Sequence, residues 1–230
     1  MILRVVTRAI HQLLLLAAVA AVRSATAAIQ TDCLTPVDPY PGDWHVRYTN
    51  ELHKRIEPPL HTFAQMLLRP AFEPEYSVSL HGTPDDMRFS DAKKYFLSRY
   101  AAEKNIWYSM PENNEQKQQQ EVSVAVATVD FPQPLAKRIY TIWHKMLLRT
   151  RYSETEYLAT DATMAEFSSE GLYAETLDPA PCKSAALLIE LGERLSDYCK
   201  APPEKRELAA KSIQVQAAAL EVFIKRQHSK

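Results

Sequence analysis

The sequence predicts an α+β fold: an antiparallel sheet of about five to six short strands with three main helices, one domain after removal of an N-terminal leader. Two observations carry this. Strand-like segments follow one another over about residues 64–131, with short links that suit antiparallel pairing. Helical periodicity comes in separate blocks, at 134–151, 183–200 and 203–227, with two more strands over 163–177 between the first and second. Grouped helices of this kind are expected on one face of the sheet. Nothing recurs with a period of about 20 to 50 residues, so a repeat architecture is not expected.

Residues 1–27 read as a secretory signal peptide. Arg4 and Arg8 precede an apolar run from Leu13 to Val22, and Ala25 and Ala27 sit at −3 and −1 of a small-residue cleavage site. The run is about half of the roughly 20 apolar residues a spanning helix needs. Cys33 follows Gln30, Thr31 and Asp32, which does not suit a lipidation site. Residues 28–58 form an N-terminal arm with Pro36, Pro39, Pro41 and Gly42. A short helix ends the arm at Asp43–Ile56, where Tyr48, Leu52 and Ile56 recur every four residues. The α+β domain is expected over 59–230.

Within it, "LHTFAQMLLRPAF" suits helix or strand, with strand favoured in its second half. "EYSVSLHG" alternates, so a half-buried strand is expected, with Ser77, Ser79 and His81 on its solvent side. "GTPDD" makes a turn. "KKYFLSRY" and "NIWYSM" are short and aromatic, hence strands. "ENNEQKQQQ" has no apolar member and reads as a solvated hairpin connection. "EVSVAVATVDF" alternates most regularly. Pro132 and Pro134 open a helix whose apolar face holds Leu135, Ile139, Ile142, Trp143 and Met146. "TMAEFSS" and "GLYAETL" meet near Glu170-Gly171 as a pair of strands. The C-terminal helix has a broad apolar face with Leu208, Val215, Leu220, Phe223 and Ile224, which packs on its own domain by default and otherwise forms a dimer seam.

Composition excludes several activities. The chain has only four glycines and no GxGxxG, GxxxxGK or GxSxG. Without the leader's three arginines, 24 basic residues stand against 28 acidic ones, a net of −4, which is not the footprint of a nucleic-acid binder. The histidines form no HExxH or HxH, so no metal or cofactor is expected. Carboxylate pairs such as Asp85-Asp86 and Glu73-Glu75 flank turns and read as solvated.

Export makes a disulfide chemically allowed. Cys182 and Cys199 bracket one helical run. If 183–200 is a continuous helix they stand about 25 Å apart. A disulfide tolerates a Cα separation of about 7 Å. Cys33 is therefore expected to pair with one of them, Cys199 in preference and Cys182 as the alternative. A catalytic Cys182, activated at a helix start, lacks any supporting motif.

The remaining candidate is a basic face on the 134–151 helix: Lys137, Arg138, Lys145, Arg149 and Arg151. Such a face suits an acidic partner or an anionic surface. The resulting expectation is a secreted or periplasmic, non-enzymatic protein that acts by binding another protein, as an inhibitor, immunity-type or envelope assembly factor does. The alternative is a small secreted hydrolase with a motif-free His/Asp/Glu site.

Overall fold

The computed structural model describes residues 34–37, 43–56, 58, 61–151, 162–177 and 182–227, with the backbone alone at 43–45 and 227. The proposed leader, residues 28–33 with Cys33, residues 38–42, the His45 side chain and His228 lie outside the described residues.

Six strands form one antiparallel sheet in the order β4-β3-β2-β1-β5-β6. They are β1 Thr62–Arg69, β2 Tyr76–His81, β3 Tyr95–Ala102, β4 Val124–Phe131, β5 Met164–Ser169 and β6 Leu172–Leu177. The segment left open between helix and strand is β1. Glu170 and Gly171 join β5 to β6 with both φ angles positive, 43° and 86°, the combination that a type I′ hairpin turn requires.

Three long helices lie on one face: α3 Gln133–Leu147, α4 Lys183–Lys200 and α5 Arg206–Gln227, after the short helices α1 Asp43–Arg55 and α2 Ile106–Ser109. The main core forms between them and the inward row of each strand. Met66, Val78, Leu97 and Phe167 come from the sheet; Trp143, Leu188, Leu191 and Leu220 from the helices. The Trp143 and Phe167 rings meet edge to face at 5.7 Å.

Helices are not confined to that face, as the sequence pattern suggested. Tyr48 and Leu52 of α1, Ile56 just after it and Ile106 of α2 pack on Leu67 on the sheet's other side, with Ala102 and Val122. The β2 strand is consequently buried on both faces: Ser77, Ser79 and His81, expected toward solvent, are all buried. "NIWYSM" also differs from expectation, since it is the helical turn α2 rather than a strand. Asn105 accepts a hydrogen bond from the Tyr108 amide and caps that turn.

The α3 helix ends at Leu147, four residues before the expected limit. The Arg149 and Thr150 amides make tight bonds to Met146 and Leu147, and the Arg151 amide leaves the helix for the Leu34 carbonyl at 3.0 Å. Thr35 continues this docked segment, exchanging 2.9 and 2.8 Å backbone bonds with Glu175 on β6.

Candidate functional site

The α3 and α5 helices meet along a groove of about 340 Å³, lined by Lys137, Arg138, Thr141, Lys145, Glu221 and Lys225 over Ile142 and Ile224. The local sequence sets this up. Leu135, Ile139, Ile142, Trp143 and Met146 turn inward on α3. The same helical period places Lys137, Thr141 and Lys145 on the outer side. On α5, Ile213, Ala217, Leu220 and Ile224 are buried. Glu221 and Lys225, one turn apart, then edge the groove.

Arg138 bridges the two helices. Its Nε and Nη2 donate to the two carboxylate oxygens of Glu221 at 2.8 and 2.9 Å. That bond holds the Glu221 carboxyl below its usual range and the Arg138 guanidinium above its own. Both side chains are about one-third exposed, which places the pair among surface bridges of about 1 kcal/mol or less. Neither Lys137 nor Lys145 has a carboxylate within ion-pair distance among the described residues. Four cations and one acid give the groove a net charge of +3, within a chain whose net charge is −1.

Three of the five basic residues expected to share a face do so: Lys137, Arg138 and Lys145. Arg149 does not, because its guanidinium turns over the Phe223 ring at 6.0 Å. Arg151 lies past the helix end. Lys225 belongs to the groove and was missed. Its only sequence signal is its position one turn after Glu221 on a helix read for its apolar face.

That apolar face also resolves into two. Leu220, Phe223 and Ile224 are buried, whereas Leu208 and Val215 are 71% and 72% exposed. With Val222, 47% exposed, they form a line at seven-residue spacing along the outside of α5.

A second polar group lies on the opposite sheet face. Gln65, Ser79, Ser98 and Thr128 stand in one cross-strand row that continues through Ser168 to Tyr173. His81 Nδ1 is 2.8 Å from the Gly82 carbonyl, which only accepts, so Nδ1 carries the proton and Nε2 accepts. The Ser98 hydroxyl, 2.8 Å from Nε2, donates to it and takes its own bond from Thr128 at 2.7 Å. Burial pushes the His81 pKa down and keeps the ring neutral. A hydroxyl against a neutral imidazole is a nucleophile–base contact. However, Ser98 has no exposed surface. It also sits on a strand paired on both sides, where the adjacent amides serve the ladder and leave no oxyanion donors.

Glu75, expected in a solvated pair, is completely buried. Tyr48 Oη and the Ile106 amide each donate to it at 2.7 Å, and the Trp107 amide at 3.3 Å. This carboxylate fastens α1 and the start of α2 to the sheet. Asp86 does serve a turn: Thr83 donates to it from its amide and its hydroxyl, both at 2.7 Å, and holds its carboxyl below the usual range.

Cys199 is a free, buried cysteine whose thiol is pushed up to about 12 by burial. The preferred Cys33–Cys199 pairing is therefore corrected. Cys199 lies in the last turn of α4, within the main core cluster. Cys182 is buried at the other end of α4, in the same apolar cluster as Leu34. Among the described residues no group of three or more His, Cys, Asp or Glu is placed to hold a metal ion. No helix there is long and apolar enough to cross a membrane. No protein-family model, curated protein or solved structure matches this chain.

Proposed function

We propose that this is an exported, non-enzymatic protein that binds an acidic region of another protein through the α3–α5 groove. The observation that carries the reading is the net +3 groove on an otherwise slightly acidic chain, with Lys137 and Lys145 unneutralised over an apolar floor. Like charges gathered in one groove repel each other and attract an acidic partner. Export is inferred from the leader at 1–27. Within the same reading Cys33 pairs with Cys182: the neighbouring Leu34 is buried in the cluster that holds Cys182, while Cys199 is free. That bond would tie the arm to the start of α4.

The alternative, a small hydrolase, draws its support from the Ser98–His81 contact; the enclosed hydroxyl and the absence of nearby oxyanion donors weigh against it. Affinity purification with mass spectrometry tests the main reading. A partner held by the native protein is expected to be lost from Lys137→Glu/Lys145→Glu at unchanged melting temperature. Full retention by that variant overturns it.

A further inference from the structure

Leu208, Val215 and Val222 lie on α5 beside the groove, on the helix's solvent side. Seven residues of helix rise about 10.5 Å, so the line is about 21 Å long. Ala218 and Ala219, both exposed, occupy the turn between Val215 and Val222 and let another backbone approach closely. An extended strand repeats its side chains on one face about every 6.6 Å, which does not match this spacing. A second helix with apolar residues in a heptad pattern does match it.

The flanking charges identify the kind of helix. Lys137, Lys145 and Lys225 line the adjoining groove, and its single acid is engaged with Arg138. A second copy of α5 suits the surface poorly, because it brings no spare carboxylate to Lys137 and Lys145: its Glu207 is paired with Lys211 and its Glu221 with Arg138. We propose that the occupant of this face is an acidic amphipathic helix of the partner protein, its apolar side on Leu208, Val215 and Val222 and its carboxylates on Lys137 and Lys145. This rests on the reading of the α3–α5 groove as an acid-binding face and adds the conformation of what it binds.

The test uses the purified full chain and synthetic acidic peptides of about 18 residues, with leucines in a 3-4 heptad pattern. Controls are a shuffled peptide of identical composition and a patterned peptide with lysine in place of glutamate. The patterned acidic peptide is expected to bind and to gain helicity by circular dichroism. Val215→Glu and Lys137→Glu/Lys145→Glu should each weaken it by about tenfold. Equal binding of the shuffled peptide overturns the helical occupant and leaves the acidic one standing. Failure of every peptide overturns the helical occupant too, and partner capture with the lysine variants then decides the broader reading separately. A dimer in sedimentation that Val215→Glu dissolves makes the occupant a second copy and overturns the proposal. Loss of peptide binding by Val215→Glu counts only with native circular dichroism, and Val222→Glu provides a second variant at an independent exposed position.

Discussion

Replacing Glu75 with alanine should be among the most damaging single changes in the molecule. The side chain has no exposure and accepts three hydrogen bonds. Two donors, the Tyr48 hydroxyl and the Ile106 amide, are themselves buried and lie at 2.7 Å, so each loses its acceptor with no water to replace it. A buried donor left unsatisfied costs about 1–3 kcal/mol, which gives about 2–6 kcal/mol for the pair. The Trp107 amide, at 3.3 Å, adds less. Against a typical domain stability of about 5–15 kcal/mol, this is a large loss. Glu75→Gln should cost less, about 1–3 kcal/mol, since one oxygen still accepts while the amide nitrogen faces a donor. Urea unfolding measures both values. Hydrogen exchange at the Ile106 and Trp107 amides should accelerate before the sheet amides do, because the bond fastens α1 and α2. A loss below about 1 kcal/mol for the alanine variant would refute the argument that these donors depend on Glu75.

Three further outcomes follow from the same structure. His81 has a folded pKa below its ordinary 6.5, so the unfolded chain binds a proton first; stability should fall as pH drops below 6.5, and His81→Gln should flatten that slope in urea titrations. A non-reducing peptide map should join Cys33 to Cys182, and reduction should lower stability by up to about 5 kcal/mol, the chain-entropy value for so long a loop; a Cys33–Cys199 peptide would contradict the free thiol at Cys199. Gly192→Val should destabilise by about 2 kcal/mol, because a Cβ there runs into the sulfur of buried Met66, and truncating Met66 to alanine in the same chain should recover part of the loss in thermal unfolding.

Local periodicity was a good guide wherever one face of an element meets the core. The α4 limits, the β5–β6 pairing, the inward residues of α3 and the Tyr48–Leu52–Ile56 row that begins on α1 follow from spacing alone. It failed where the deciding partner is far away in sequence. The α2 turn is set by Glu75, about thirty residues earlier, which supplies the acceptor for its first amides. Within "NIWYSM" the Asn105 cap is the local signal for that turn, and the Glu75 acceptor is not visible there. Glu75 itself follows Pro74, and its burial involves Tyr48 of α1 and the first amides of α2, contacts distant in sequence. The β2 strand alternates as a half-buried strand does, yet its polar side is buried as well; His81 and Ser79 find partners on Ser98 of β3, which alternation alone does not show.

The basic groove was legible in part, for a related reason. Helical spacing puts Lys137 and Lys145 on the outside of α3, but the charge becomes a site only where α5 adds Lys225 and supplies Glu221 to hold Arg138. The one acid is bonded in both its oxygens, so it orders the groove wall while leaving Lys137 and Lys145 unneutralised. Docking α5 does not need those cations, since Ile213, Ala217, Leu220 and Ile224 already bury its inner side. Like charges gathered there oppose packing slightly. The exposed Leu208, Val215 and Val222 also add nothing to the core. Two features on adjoining surfaces, each without a structural use, fit one explanation: a partner that brings both acids and apolar side chains to α5. A polar, uncharged peptide that bound there as tightly would break the link between them.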